Sequence, residues 1–214
     1  MISIIIPTKN EPLINELINE VGRRVKQRHE IIVVDKSEVP PRLERGKLVR
    51  QKSNGLGNAF IEGVEQARGD IIVLMDGDFS HNPKYIKRLI DGLKDSDLVI
   101  GSRFVKGGRN FDIWYRKAIS AVFTWFASTF LDVPIKDSMS GFGAVRREVL
   151  DRIDLKPLGY KILLEIAYKS KKLGYRISEI PIRFQKRRGG KPKANINEAV
   201  RTLRLIFGLK LGLR

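Results

Sequence analysis

The chain has 214 residues, 42% of them apolar, so it can bury a substantial core, and a single domain is the natural expectation. It contains no cysteine, which excludes disulfides, thiolate metal sites and cysteine nucleophiles, and its two histidines argue against a histidine-based zinc site or a Ser-His-Asp triad. The net charge of +17 predicts an anionic partner: nucleic acid, a phosphate-rich small molecule or an anionic membrane surface.

The first half of the chain alternates apolar runs with amphipathic stretches, as the strands and helices of an α/β fold do. The strands are continuous apolar runs, which is typical of a mostly parallel sheet covered by helices. Gly55 and Gly57 do not make a dinucleotide fingerprint, because the third glycine is missing and they do not directly follow the first strand. Strands are predicted at 2–7, 30–35, 47–51, 71–75 and 98–102, and helices at 10–28, 55–67 and 83–94.

The buried strand at 71–75 ends in two carboxylates, Asp76 and Asp78, with Gly77 between them. Along extended backbone, residues two apart point to the same side, so both carboxylates can face the sheet edge where open α/β folds bind ligands. Oxygen ligands of this kind suit Mg²⁺ or Mn²⁺, which share their remaining positions with substrate phosphates and water. An acidic turn that caps the helix from Pro83 is the alternative interpretation of the same residues.

The second half of the chain is richer in aromatic and basic residues. Pro181 indicates that the last strand lies at a sheet edge or contains a bulge. The segment 183–193 carries six basic residues and no acid, and predicts a cationic loop. Asn195 and Glu198 have the spacing of a capping box at the start of the final helix. Helices are predicted at 114–131 and 163–174, and strands at 142–145 and 176–184.

The pattern as a whole predicts one domain over 1–194 and a C-terminal basic amphipathic helix over 195–214, of the kind that can lie on a membrane surface. No spanning helix is expected, because the longest stretch without a charge, 118–131, has only 14 residues, short of the ~20 that a bilayer requires. No signal peptide is expected either, because the chain enters its first strand within two residues.

A series of short motifs runs through nearly the whole chain in a fixed order. They are S-I-I-I-P-T-x-N-E at 3–11, E-I-I-V-V-D at 30–35, A-x-G-D at 67–70, D-G-D at 76–78, G-S-R at 101–103, G-G at 107–108, W-x-R-K-x-I-S at 114–120, D-x-x-S-G-F at 137–142, G-Y-K-I-L-L-E at 159–165 and R-x-x-G-x-x-K at 187–193. In this order they resemble the GT-A-fold, family 2 glycosyltransferases, and within these the dolichyl-phosphate mannose synthases. The resemblance implies a single Rossmann-like GT-A domain of nucleotide-diphospho-sugar transferase type.

The resemblance also implies roles for individual positions on the donor side. The base and ribose would be held at the ends of the first two strands by Pro7, Glu11, Val33 and Asp35. The remainder of the nucleotide sugar would be bound by Asp76, Gly77, Asp78, Arg187 and Lys193, of which the last two clamp the diphosphate as a loop closes over it. The metal, Mg²⁺ or Mn²⁺, would be held by Asp78, with Ser80 where a further metal-site group is found.

On the acceptor side, the resemblance implies that the phosphate is bound by Arg103, Arg116 and Ser120. Catalysis would fall to Asp76, Asp78, Arg103 and Arg187. The activity implied is metal-dependent, inverting transfer of mannose from GDP-mannose to dolichyl (polyprenyl) phosphate. The protein would lie in the cytoplasm, bound peripherally to the cytoplasmic face of the membrane. An acceptor phosphate arrives largely deprotonated, so no general base is required.

The chain departs from the family pattern at Lys9, Lys36 and Pro192, where an aromatic residue, an aspartate and a serine are usual. The first two changes touch the nucleotide pocket, so transfer of glucose or another sugar from a UDP-sugar to a lipid phosphate or glycan stays open. A catalytically dead scaffold is a further alternative. A basic nucleic-acid-binding protein is the alternative from another class. Nucleic acid is not the expected partner, because the carboxylate-rich strand ends would repel its phosphates unless they hold a metal, and the cationic loop has only one aromatic residue, Phe184, for base stacking.

Overall fold

The computed structural model describes residues 1–111, 114–187 and 196–213, and within these only the backbone of 114–117 and 196. The strands, in chain order, are β1 (Ile2–Thr8), β2 (His29–Asp35), β3 (Lys47–Arg50), β4 (Ile71–Leu74), β5 (Leu98–Ser102), β6 (Arg109–Asn110), β7 (Gly143–Arg146), β8 (Ile177–Pro181) and β9 (Arg183–Phe184). The helices are α1 (Ile14–Arg24), α2 (Leu56–Glu65), α3 (Ile86–Gly92), α4 (Trp114–Leu131), α5 (Arg147–Asp151), α6 (Ile162–Lys172) and α7 (Ile196–Lys210).

Seven strands form one sheet in the order β3-β2-β1-β4-β7-β5-β8, while β6 and β9 pair separately. The neighbours pair in parallel except at β7, which runs antiparallel to both β4 and β5. The predicted mostly parallel sheet is therefore confirmed. Pro181 ends β8, which is an edge strand of the sheet, and this agrees with its predicted position.

The direction of β7 determines which loop lies at the carboxyl edge of the parallel strands, where open α/β folds bind ligands. Gly143, at the start of β7, lies opposite Leu74 in β4 and Ile100 in β5, near the ends of both strands. Because β7 begins where its neighbours end, the turn at 137–141 that leads into it lies at the carboxyl edge of the parallel strands.

The core lies on both faces of the sheet, which explains the continuous apolar runs. Ile5 and its neighbours on one face pack with residues of α2, α4, α6 and α7. Ile4 and Ile6 point to the other face and pack with residues of α1 and α3. Successive residues of β1 therefore enter different halves of the core, so both faces of this strand are mainly apolar.

Two helix starts differ from the predicted ones for local reasons. The helix predicted from Asn10 begins at Ile14, because Asn10 has a φ of 54°, in the left-handed region, and cannot open a right-handed helix. The helix predicted from Pro83 begins with a 3₁₀ turn over Pro83–Tyr85 before α3. Asn82 caps that turn, its Oδ1 accepting a hydrogen bond from the backbone N–H of Lys84 at 3.0 Å.

The final helix, α7, belongs to the same core as the rest of the chain. Leu205, Ile206 and Leu209 are fully buried in it. Phe207 packs against the rings of Phe126 and Phe130 on α4, with centroids 6.2 and 5.2 Å away. The predicted domain boundary at 194–195 and the Asn195 half of the predicted capping box fall outside the described residues. Within the described part of the chain, no helix has both the length and the apolar content needed to cross a bilayer.

Candidate functional site

The predicted donor residues gather where β1, β2 and β4 end. Pro7 pairs with Val34, next to Val33 in β2, so both positions assigned to the nucleotide lie side by side in the sheet. Gly77 packs so closely on the end of β1 that a Cβ there would lie 2.9 Å from Cγ2 of Thr8 and 3.6 Å from Cγ of Glu11. A side chain at this position would have to displace Thr8, so glycine favours this close packing between the two aspartates, and Glu11 lies next to it.

Asp35 is buried, and its carboxylate is fully engaged by the protein. Oδ1 accepts hydrogen bonds from the hydroxyls of Thr8 and Ser37, at 2.9 and 2.8 Å. Oδ2 accepts from the backbone N–H of Ser37 at 2.9 Å and from Nη1 of Arg50 at 3.0 Å. Two bonds to each oxygen saturate a carboxylate. A ribose contact by Asp35 stays a prediction, and it requires one of these bonds to be exchanged.

Asp78 is the best-defined member of the pair of aspartates. Its Oδ1 accepts a hydrogen bond from the backbone N–H of Ser80 at 3.0 Å, and its Oδ2 lies 2.8 Å from Nε of Arg187. Phe79 between them has a φ of 62°, a left-handed conformation that costs about 1–3 kcal/mol in a residue other than glycine. The left-handed turn at Phe79 brings the backbone of Ser80 back to the carboxylate of Asp78. Arg187, from the cationic loop, contacts the same carboxylate.

The donor set at Asp78 fits a divalent ion. The Oγ of Ser80 is buried and has no hydrogen-bond partner among the residues that the structure describes. Those residues contain no group of three or more His, Cys, Asp or Glu side chains that could hold a metal by themselves. Mg²⁺ and Mn²⁺ commonly take one or two protein oxygens and complete their shell with substrate phosphates and water. Asp78 with the orphaned Ser80 hydroxyl can supply that minimal set.

His81 lies beneath Asp76, a position that sequence reasoning did not anticipate. Its ring stacks on Phe142 at 4.9 Å and meets the edge of Phe184 at 5.3 Å. Its Nδ1 accepts the backbone N–H of Asp76 at 3.3 Å. Burial lowers the pKa of His81, against the attraction of Asp76 and Asp78, so the ring is neutral and supports the backbone on which Asp76 stands.

Arg103 follows β5 and is held rigidly at the acceptor side. Its Nε and Nη2 donate to the two carboxylate oxygens of Asp137 at 2.8 and 2.7 Å, and its backbone N–H adds a third bond at 2.9 Å. Nη2 also donates to Oγ of Ser120 at 3.0 Å. No described residue bonds to Nη1. The bidentate pair thus fixes the guanidinium plane and leaves one edge free for an anion.

The predicted acceptor residues are partly brought together. Ser120 and Arg103 are in contact, as expected. Arg116 precedes Ser120 by one turn of α4, but its side chain lies outside the described part of the structure. Lys193, predicted on the donor side, also falls outside the described residues.

Glu179 supports the acceptor side from β8, and no sequence signal pointed to it. Its two carboxylate oxygens accept the backbone N–H groups of Lys136 and Asp137, at 2.7 and 2.9 Å. Burial raises the pKa of this carboxyl. Glu179 therefore holds the start of the turn that presents Asp137 to Arg103.

The ion pair between Arg187 and Asp78 yields a prediction about metal affinity. Substitution of Arg187→Gln is expected to tighten Mn²⁺ binding to the nucleotide-free protein, because the guanidinium 2.8 Å from Oδ2 competes with the ion for that oxygen. A partly exposed pair of this kind contributes about 0.5–1 kcal/mol, which corresponds to a roughly two- to fivefold change in Kd. Titration calorimetry with Mn²⁺ measures it, with exposed Arg183→Gln as the control. Unchanged or weaker binding would contradict the competition.

Comparison with known proteins gives a consistent match. The profile of glycosyl transferase family 2 matches residues 3–154. Dolichol-phosphate mannosyltransferase from Pyrococcus furiosus is 37% identical, over 97% of this chain and 63% of that protein. Polyprenol monophosphomannose synthase from Mycolicibacterium smegmatis is 34% identical, over 92% of this chain and 83% of that protein. The chain thus spans slightly less than two thirds of the first of these relatives.

A solved structure shows the same fold. Glucosyl-3-phosphoglycerate synthase from Mycobacterium tuberculosis, crystallised with Mn²⁺, UDP and phosphoglyceric acid, superposes with a TM-score of 0.73. The sequences are 20% identical, and the match covers 99% of this chain and 78% of that chain. The likeness confirms the predicted GT-A-like α/β fold with its mostly parallel central sheet.

Proposed function

Because the chain belongs to glycosyl transferase family 2, we propose that it is an inverting transferase that moves mannose from GDP-mannose to dolichyl (polyprenyl) phosphate. One observation carries this proposal. Two anion-binding groups, Arg187 beside Asp78 and Arg103 beside Asp137, lie at the same edge of the sheet. A transfer between two phosphorylated substrates requires one such group for the donor and one for the acceptor.

The reaction is a direct displacement. A phosphate oxygen of the acceptor attacks the anomeric carbon, the bond from that carbon to the diphosphate oxygen breaks, and its electron pair leaves with the diphosphate. Arg103 orients the attacking phosphate through Nη1, and Arg187 is released from Asp78 to neutralise the leaving group. No proton is removed, because a phosphate monoester is largely ionised above pH ~6. When bound at Asp78 and Ser80, Mg²⁺ or Mn²⁺ supplies further charge stabilisation for the diphosphate.

The test is a transfer assay with dolichyl phosphate and either labelled GDP-mannose or labelled UDP-glucose. We expect label to enter the lipid fraction from GDP-mannose, to stop with a chelator and to return with added Mn²⁺ or Mg²⁺. Transfer from UDP-glucose alone would replace the donor assignment by the UDP-sugar alternative. Transfer that is indifferent to the chelator would overturn the metal requirement.

Peripheral attachment to the cytoplasmic face of a membrane is the second part of this proposal. Ile119, Val122 and Trp125 share one face of α4 and are 56, 63 and 69% exposed. Together with the net charge of +17, this apolar face favours contact with an anionic lipid surface.

Vesicle flotation tests the attachment without removing any part of the core. Deletion of α7 is unsuitable, because its buried residues would be lost with it. We expect the double substitution Val122→Ser and Trp125→Ser to reduce flotation with vesicles that contain phosphatidylglycerol. Val39→Ser, at a loop position that is 83% exposed, is the control. Equal flotation of the double variant and the control would contradict contact through α4.

A further inference from the structure

Lys161 is a half-buried cation that makes no ion-pair contact with a carboxylate among the described residues. It lies immediately before α6, and its Nζ donates one hydrogen bond, to the backbone carbonyl of Met139 at 3.1 Å. Within the described residues, no acidic side chain forms an ion pair with it. An ammonium group has three donors, so two are left for a ligand or for water. Lys169 on α6 shows the contrast, because it pairs with the buried carboxylate of Glu165 at 2.7 Å.

Lys161 interacts electrostatically with charged groups from both the donor and the acceptor side of the site. Burial lowers the pKa of Lys161, and repulsion from Arg103 lowers it further, while Asp137, Asp76 and Glu198 oppose both effects. Arg103 and Lys161 are therefore like charges brought close together in a partly dehydrated place. Such a pair is destabilised until an anion lies between its members.

The turn at 137–141 links Lys161 to both substrates. Asp137 at its start fixes Arg103, and the carbonyl of Met139 in its middle fixes Lys161. Gly141 at its end packs on the carboxylate of Asp76, where a Cβ would lie 3.4 Å from Oδ1. One short turn therefore sets the positions of the acceptor arginine, the lysine and the donor carboxylate.

The backbone around Lys161 is fixed by two other helices. The N–H of Tyr160 donates to Oε1 of Glu198 on α7 at 2.6 Å, and the carbonyl of Gly159 accepts from the N–H of Gly57 on α2 at 3.2 Å. Gly159 has a φ of 73°, and a Cβ there would lie 2.4 Å from Oε1 of Glu198, so only glycine fits. Lys161 is thus held in place before any ligand binds, as a preorganised binding group should be.

We propose that Lys161 binds the phosphate of the acceptor together with Arg103, so that a phosphate monoester dianion bridges Nη1 of the arginine and Nζ of the lysine. The acceptor is favoured over the donor because Lys161 is bonded to the turn that carries Asp137. The donor diphosphate is assigned to Arg187, which reaches Asp78 from the cationic loop. The lysine thereby joins the acceptor phosphate site of the proposed transferase, and this inference rests on the proposed function.

The first test measures binding of inorganic phosphate by titration calorimetry, which requires no turnover. Lys161→Met is expected to weaken binding about ten- to a hundredfold, the range for loss of a hydrogen bond to a charged group. Lys161→Arg is expected to retain most of the affinity. Lys172→Met, at the exposed end of α6, is the control and should bind as the wild type does. Equal affinity of the wild type and Lys161→Met would overturn the inference.

The second test uses initial rates of transfer to polyprenyl phosphate. Lys161→Met should raise the KM for the lipid phosphate and leave the KM for the nucleotide sugar unchanged. A rise confined to the donor KM would overturn the inference, and so would unchanged kinetics in an active enzyme. If the wild type binds phosphate through Lys161 but transfers no sugar, the phosphate site stands and the proposed function fails. Thermal unfolding of each variant separates loss of binding from loss of fold.

Discussion

Asp78→Asn is expected to lower the rate of sugar transfer by about 10²–10³-fold, the usual effect of removing one preorganised electrostatic group from a reaction site. Asparagine keeps the shape of the side chain and can still accept the N–H of Ser80. It loses the negative charge that both a divalent ion and Arg187 require. The same substitution should abolish Mn²⁺ binding to the nucleotide-free protein, and electron paramagnetic resonance of free Mn²⁺ measures this without any assay of activity.

Asp95→Asn is the matched control. Asp95 is exposed before β5, at the opposite edge of the sheet from Asp78, and its side chain has no role in the proposed site. Its substitution should leave transfer and Mn²⁺ binding unchanged. An Asp78→Asn variant that retains wild-type transfer would overturn the proposed metal site and favour the scaffold alternative.

Asp137→Ala is expected to lower the free energy of unfolding by about 3–5 kcal/mol, because it leaves an uncompensated buried arginine. The side chain of Arg103 is only 11% exposed and that of Asp137 is fully buried, so water cannot replace the lost carboxylate. The backbone N–H of Arg103 also loses its acceptor. Urea unfolding measures the loss, and the KM for the acceptor should rise with it, because the guanidinium is no longer held in one plane.

The double variant Arg103→Ala with Asp137→Ala distinguishes this cause from simple loss of packing. Removal of both charges should destabilise the protein by clearly less than the sum of the two single substitutions, because no unpaired charge is left. Additive losses, or a loss below about 1 kcal/mol for Asp137→Ala alone, would show that the pair is not the stabilising element that its geometry indicates.

The sheet could be predicted from sequence because burial on both faces leaves a local signature. Residues such as Ile4 and Ile5 enter opposite halves of the core, so the stretch from Ile2 to Pro7 is apolar except at Ser3, and sequence alone identifies the strand. The start of α1 could not be predicted in the same way. Asn10 followed by Glu11 and a proline is a regular helix start, and only the left-handed backbone of Asn10, fixed by its hydrogen bond to Ser37 at 2.7 Å, excludes it.

The candidate site was predictable only where motifs could be recognised. Two pairs of residues to which the resemblance assigned a shared role lie in contact. These are Asp78 with Ser80, and Arg103 with Ser120. Lys161 lies within a recognised motif, but no role was assigned to it, because the carbonyl that it contacts is 22 residues away in sequence. Glu179 gave no signal, because Lys136 and Asp137 are more than 40 residues away from it. His81 gave none either, because its ring stacks on Phe142, which is distant in sequence. Asp35 shows the reverse case. Its motif implied a ribose contact, whereas packing has already committed its carboxylate to three side chains and a backbone N–H.

The antiparallel insertion of β7 between β4 and β5 also makes the acceptor side depend on contacts that are distant in sequence. The donor carboxylates follow β4 and can be in place once β1, β2 and β4 have paired. Asp137 and the carbonyl that holds Lys161 arrive only when a strand from much later in the chain closes the gap, and such long-range closure is slow. We therefore expect the ion pair of Arg103 with Asp137, and with it the acceptor side of the proposed site, to form no earlier than the pairing of β7 with β4 and β5.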